Sequence, residues 1–297
     1  MLVKRLSLSK IGDLLKDSLG EEAEDYTFPE DFEKAVVDIG FKAYVYRGDA
    51  EPYDLIVIGE GLQARRRENA TVPVLGKVKS VRFLGSPTSI PIYSFSMENV
   101  LSDIVLPSSI TDIKTSAFAG CAALQSISIP DAIVTMSGDS VFSSSGLTTF
   151  NSNNISVIPR YTLSGSSVTE VNFPKATEIK YQACMNCYSL LTVNAPKAKV
   201  IMDTGNGQQF KGCLNLQTVN LGSIDNAVTS LGNQVFVGCT SAGLTITVYA
   251  NADYISTLLT NIRNGATNAT IIIKAASDLV YNNVSYSAGD TVVTSTV

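Results

Sequence analysis

The chain has 297 residues, of which 45% are apolar and 16% charged, so it can bury a large core and does not have the composition of a disordered segment. Its formal net charge of −5 argues against a nucleic-acid-binding protein, which calls for a basic face. It contains no histidine, which removes Ser-His-Asp and Cys-His catalysis and the commonest zinc ligand.

The charge is unevenly spread. Residues 1–83 hold 13 of the 22 Lys and Arg and 15 of the 27 Asp and Glu, and the other 214 residues share 9 and 12. That shift marks a boundary near residue 76 and predicts a separate α+β unit over 1–75, suited to anchoring. Ser9 caps a predicted helix with Ile11, Leu14, Leu15 and Leu19 on one face, ended by Gly20. Pro29 opens a second helix that runs to about Ile39, before Gly40. Phe41 to Arg47 and Tyr53 to Ile58 read as strands of a hairpin closed by the Gly48–Pro52 loop. Arg47-Gly48-Asp49 matches the tripeptide of some integrin ligands, but a hairpin turn accounts for Gly48 and Asp49 as well. Arg65-Arg66-Arg67, flanked by Glu60 and Glu68, reads as a solvated loop, with an anchoring surface as the alternative. Lys10, Asp13, Lys16 and Asp17 break any apolar run near the start, so no secretory leader is expected there. Nor is a membrane span expected, since no stretch approaches the ~20 consecutive apolar residues it requires.

From Val78 the chain repeats. Val78, Leu101, Leu124, Leu147, Val168, Leu190, Leu216 and Leu244 recur at intervals of 23, 23, 23, 21, 22, 26 and 28 residues. The next inward positions are Val81, Ile104, Ile127, Phe150, Val171, Val193 and Val219, each three residues on, and Ile246, two residues after Leu244. Two further on come Phe83, Leu106, Ile129, Ser152, Phe173, Ala195, Leu221 and Val248. Pro107, Pro130, Pro174 and Pro196 end four of these strands, because proline cannot donate to a ladder. One such copy cannot bury its own apolar side; stacked copies pair their strands in a parallel sheet around a continuous core. The return segments carry Phe118, Phe142, Tyr161, Cys184, Phe210 and Phe236, which are expected to pack the convex side. L-x-x-L-x-L at this period is similar to a leucine-rich repeat.

Cys121, Cys187, Cys213 and Cys239 fall in one repeat slot, and Cys184 takes the slot that Phe holds elsewhere. Buried small hydrophobes are the preferred reading, although Cys184-x-x-Cys187 also has the spacing of a redox or metal motif.

Ile113-x-x-x-Ala117-Phe118-x-Gly120-Cys121-x-x-Leu124-x-x-Ile127-x-Ile129-Pro130 resembles the BspA-type leucine-rich repeat of bacterial surface proteins, met also in some protist surface and phage proteins. The resemblance covers about 76–250. The copies at Phe210–Leu221 and Phe236–Val248 follow next best, whereas Ser145 and Ser164 stand where two copies should have Cys. It implies a leucine-rich repeat solenoid, a parallel β-sheet with an irregular or short helical convex side, between the small N-terminal α+β domain over 1–75 and a helix-plus-β cap over 251–297. In that cap, Asn251 is expected to start a helix with Ile255, Leu258, Leu259 and Ile262 on one face. Ile271–Ile273 reads as a strand, Leu279–Tyr286 as a hairpin turning at Asn282-Asn283, and Thr291–Thr294 as a last strand.

For function, the outward face of the repeat strands is the informative feature. One row is Ser80, Asp103, Ser126, Thr149, Glu170, Thr192, Thr218 and Thr245; the next is Arg82, Val105, Ser128, Asn151, Asn172, Asn194, Asn220 and Thr247. Thr suits strands and Asn ladders pair across them, which explains these rows without a ligand. The functional alternative is a concave polar surface for a protein or a glycan, centred on Glu170, Asn172, Thr192, Asn194, Thr218 and Asn220. No catalytic residues, cofactor site or metal site are predicted: phosphate and dinucleotide loops are missing, and the carboxylates are scattered. The chain is expected to be a non-enzymatic structural or binding protein. A phage virion fibre or decoration component, released by lysis and anchored through its N-terminal domain to a capsid, tail or other anchoring protein, is preferred to a secreted bacterial surface adhesin. Homo-oligomerisation is left open.

Overall fold

The computed structural model describes residues 43–47, 52–58, 77–202, 207–266 and 268–296. The helices expected in 9–20 and 29–39, the Gly48-Asp49 turn and the arginine cluster lie outside these residues. What is described is a parallel β-solenoid of about eight coils, in which successive turns of chain stack with their apolar sides inward.

The expected hairpin forms: β1 (Ala43–Arg47) and β2 (Tyr53–Ile58) are antiparallel. β2 then pairs in parallel with β3 (Val78–Leu84), so the hairpin continues the sheet of the repeats. Each later coil, except the one that begins at Leu124, adds one strand to this long-sheet side, and most add a two-residue strand to the opposite side. The long-sheet strands are β5 (Asp103–Ile104), β7 (Thr149–Asn151), β9 (Glu170–Asn172), β11 (Thr192–Ala195), β13 (Thr218–Leu221) and β15 (Thr245–Ala250). The short outer ones are β4 (Ser89–Ile90), β6 (Asp112–Ile113), β8 (Val157–Ile158), β10 (Glu178–Ile179), β12 (Val200–Ile201) and β14 (Ser230–Leu231). β8, β10, β12 and β14 form a parallel ladder of their own. The outer strands end on Ile90, Ile113, Ile158, Ile179, Ile201 and Leu231, all buried. The leading Ile of the repeat pattern is therefore a strand residue.

The long sheet is interrupted once. No strand forms over 124–130, the stretch with the fullest repeat pattern, although Thr148 N still donates to Gln125 O. The outward residues there are Ser126 and Ser128, which lack the β-branch that Thr brings to neighbouring strands. Ile127 is half-buried as a result, while Leu124 and Ile129 are buried. In β3 the third inward position is taken by Leu84, and Phe83 is half-buried.

The side opposite the long sheet is held by backbone. In the first coil the N–H groups of Tyr93, Phe95 and Met97 donate to the carbonyls of Thr115, Ala117 and Ala119 in the next. The intervening N–H groups of Ser94, Ser96 and Glu98 close turns onto Pro91, Tyr93 and Phe95. To alternate in this way the chain enters the left-handed region two residues before and two after the core residue in six coils: Tyr93 and Met97, Ser116 and Gly120, Ser140 and Ser144, Tyr161 and Gly165, Gln182 and Asn186, Gln208 and Gly212. Following the same bonds through the stack puts Phe95, Phe118, Phe142, Leu163, Cys184, Phe210 and Phe236 in one buried column. Leu163 takes the place expected for Tyr161, whose ring is half-buried and meets Tyr181 edge-on at 5.8 Å. Where the column narrows to Leu163 and Cys184, the long sheet supplies bulk. Phe150 lies 5.5 Å from Phe142, and Phe173 lies 6.2 Å from Phe150.

After β15 the helix α1 (Ile255–Gly265) replaces the turns of a coil, and β16 (Thr270–Ala275) returns parallel to β15. Ile255, Leu258, Leu259 and Ile262 are buried, as their spacing implies. Tyr254 stands at the helix N-cap without a side-chain cap; Asn251 instead accepts the Tyr254 N–H through its carbonyl, so it opens a turn and does not cap the helix. β17 (Leu279–Tyr281) and β18 (Val284–Tyr286) form the expected hairpin, with Asn282 and Asn283 both left-handed. β19 (Thr291–Thr296) closes the long sheet antiparallel to β16.

Candidate functional site

Strict register builds the outward face of the long sheet. Val171, Val193 and Val219 pair in line, as do Ile246 and Ile271, and all five are fully buried. Alternation then sends their neighbours outward. Thr149, Glu170, Thr192, Thr218, Thr245 and Thr270 are mutual partners in one row. Asn151, Asn172, Asn194, Asn220, Thr247 and Ile272 form the other. All six candidate residues thus share one surface. Glu170 is exposed; Asn172, Thr192, Asn194, Thr218 and Asn220 are half-buried.

The amides of the second row are only partly used by one another. Asn194 Nδ2 donates to Asn172 Oδ1 at 3.1 Å, and Asn151 Oδ1 accepts the Asn153 N–H at 3.0 Å. Among the described residues the Asn220 amide bonds to neither neighbour in the row, so donors and acceptors remain turned to solvent. Glu170 carries the one charge among the six positions.

In the repeat pattern this face ends at β15. β16 extends it with Thr270 and Ile272, and a third outward position brings Tyr249 beside Lys274, whose Nζ lies 5.9 Å from the ring centre. The alternation of Thr270–Ala275 was the available signal. Its place beside β15 depends on how α1 folds back. At the other end, Ser80 Oγ donates to Asp54 Oδ1 at 2.6 Å, and Val105 stands 74% exposed beside the strandless coil.

Four of the five sulfurs lie elsewhere, in a column three residues beyond the Phe column, which itself holds Cys184. Cys121 Sγ donates to Phe95 O at 3.1 Å, Cys187 to Leu163 O at 3.0 Å, and Cys213 and Cys239 to Cys184 O and Phe210 O at 3.1 Å. Each thiol thus ties its coil to the preceding one. Ser145 and Ser166 take this slot in the two coils that lack Cys; the second is Ser166, three residues past Leu163, where the sequence pointed to Ser164. All five thiols are buried and free. Burial pushes Cys187 up to about 11 and Cys239 to about 12. Burial, and the neighbouring thiols after it, raise Cys184 and Cys213 as well. A protonated, buried sulfur is suited to donating a hydrogen bond to a carbonyl. In the first coil the slot holds Glu98, fully buried, whose Oε2 accepts the N–H groups of Lys77 at 3.0 Å and Val78 at 3.1 Å. An acceptor in place of a donor satisfies the start of β3. Among the described residues no group of three or more acidic or thiol side chains is placed to hold a metal ion.

This geometry defines a class: a parallel repeat solenoid with two strands per coil and a polar outward face. The family model described as BspA type leucine rich repeat region, in six copies, matches residues 88–217 and 203–259, more than half of the chain. The chain belongs to the BspA-type leucine-rich repeat family. No curated protein matches it. Among solved structures, it is similar to a leucine rich repeat protein of T. pallidum, at 23% identity over 67% of this chain and 87% of that one, with a TM-score of 0.38. It is also similar to a leucine-rich repeat protein from Eubacterium ventriosum, at 16% identity over 82% of this chain and 100% of the other, with a TM-score of 0.37. A leucine rich cell surface protein from Faecalibacterium prausnitzii matches at 18% identity over 59% of this chain and 54% of that chain, with a TM-score of 0.31.

Proposed function

We propose that the chain is a non-enzymatic binding protein that presents the outward face of its long sheet to a protein or glycan on a host or cell surface. The observation that carries this is the register of Glu170, Asn172, Thr192, Asn194, Thr218 and Asn220 in two adjacent rows with amide groups unspent. Residues 1–75, with their dense charge, serve as the anchor; residues 76–250 display the face, and 251–297 close the stack. We place it in a phage virion, as a fibre or decoration component attached to capsid or tail. This fits the phage members among proteins with this repeat. A bacterial cell surface is the alternative.

A variant carrying Thr192→Lys and Thr218→Lys puts two charges into the centre of the rows. Full-length protein should label host cells in flow cytometry, and the variant should lose most of that labelling while keeping its circular dichroism. Equal labelling by both would remove this face from the binding role. Mass spectrometry of purified phage particles against washed bacterial envelopes decides the location: peptides confined to envelopes would overturn the virion placement.

A further inference from the structure

We infer that the face over β9, β11, β13, β15 and β16 takes an uncharged, extended polysaccharide laid along the stack, across the strands; this rests on the binding role given to that face above. Three features of the rows select this ligand over a protein.

The first is pitch. Thr192, Thr218, Thr245 and Thr270 are direct partners in neighbouring parallel strands, so equivalent groups recur every ~4.8 Å along the stack. An extended peptide laid the same way returns a side chain to one side every ~6.7 Å and falls out of step within two coils. A β-linked hexose chain in its extended form advances by close to one coil spacing per sugar. Successive sugars in such a chain are turned by about half a turn, so every second sugar meets its pair of groups with the same face, in step with every second coil.

The second is chemistry. Thr192, Asn194, Thr218, Asn220, Thr245 and Thr247 offer hydroxyls and primary amides, each able to donate and to accept, which matches a polymer whose surface is hydroxyl throughout. Charge lies only at the margins, in Glu170 at one end and Lys274 at the other, so an acidic polymer gains nothing over the middle of the rows.

The third is what the two rows lack. Protein hot spots centre on Trp, Tyr and Arg, and these rows hold none of them between Thr149 and Ile272. The ring that flanks them, Tyr249, stands at the third outward position and carries Lys274 above it, which suits a stop at the edge of a ligand better than an anchor at its centre.

The test uses full-length protein and isothermal titration with cello-, manno- and β-1,3-gluco-oligosaccharides of two to six sugars, with polygalacturonate as the acidic polymer. At least one neutral series should bind, with affinity rising at least tenfold from the disaccharide to the pentasaccharide and then levelling off. Polygalacturonate should bind no better than the disaccharide. Asn194→Ala with Asn220→Ala should weaken the pentasaccharide at least tenfold with an unchanged melting temperature, and Gln208→Ala on the opposite side should leave it unaltered. Affinity that ignores chain length, indifference to the asparagine changes, or silence from every neutral series would overturn the inference. If the asparagine variant loses cell labelling, no glycan binds, and protease treatment of the cells abolishes labelling, the ligand is a protein: the polysaccharide falls and the binding face stands. If neither cells nor glycans distinguish the variant from the parent, both readings fall.

Discussion

Phe118 has its ring stacked at 5.2 Å on Phe95 and at 5.4 Å on Phe142, and no part of it is exposed. Truncation leaves a hole between two rings that the backbone ladders hold in place, so Phe118→Ala should cost ~3–5 kcal/mol in urea unfolding. The left-handed position two residues on is a sharper case. Along the stack it holds Met97, Gly120, Ser144, Gly165, Asn186, Gly212 and Gly238. Side chains alternate with glycine down to Gly212, because each side chain lies over the next coil. A Cβ on Gly120 would come within 2.6 Å of Met97 Sδ, and one on Gly212 within 2.4 Å of Asn186 Oδ1. Gly212→Ala should therefore lose more than the roughly 1–2 kcal/mol of left-handed strain alone. Adding Asn186→Gly should return the excess, seen as a double mutant more stable than the sum of its singles. Additivity would mean that the two coils do not meet there. At this scale the sequence showed which residues recur but misassigned Tyr161. A shortened coil carries two bulky apolar residues, Tyr161 and Leu163, and only the backbone ladder decides which one faces in.

At the scale of the element, the thiol column links coils through side chains where the strands link them through backbone. Three of its thiols are raised in the folded state, Cys213 among them, to about 11 for Cys187 and about 12 for Cys239, against roughly 8.5 in an unfolded chain. Between those values the folded chain holds protons that the unfolded chain has released. The stabilisation is therefore complete at neutral pH and drains away as pH rises from ~8.5 through the folded values. Urea midpoints at pH 7, 9 and 10.5 should fall steadily, and Cys187→Ala with Cys239→Ala should flatten that fall. An unchanged slope in the variant would show that other groups govern it. The second strand of each coil was legible only in part. Its Ile stood in the pattern, but a two-residue strand has no periodicity to read, and its identity comes from the neighbour it pairs with. On the glutamine side, Gln182 donates to Gln208, and Gln208 Nε2 donates to Gln234 Oε1 at 2.7 Å; their spacing of 26 residues in sequence hides the ladder.

For the whole molecule, stability depends on how the stack ends. α1 covers the last coil with Ile255, Leu258, Leu259 and Ile262, and it also closes the open edge of the outer ladder. Tyr254 Oη accepts the Leu231 N–H at 2.8 Å, and Asn261 Nδ2 donates to Leu231 O at 2.7 Å. Without that cover, the last coil exposes both apolar surface and unpaired backbone, which invites a second molecule. Leu258→Ala with Ile262→Ala should cost ~2–5 kcal/mol per site and raise the mass seen by light scattering. A variant that stays monomeric at the parent's melting temperature would show that α1 is not the cap.

The repeat alone determined the coil, most of the inward residues and the six-residue polar set, because apolar spacing is a local property and stacking admits one register that buries it. The tertiary structure decided everything that depends on the next coil. It made β2 and β16 strands of the long sheet, placed Leu163, Ser166 and Glu98 in their columns, and left 124–130 without a strand. These choices rest on hydrogen bonds between residues about twenty or more apart, and no window of sequence contains both partners.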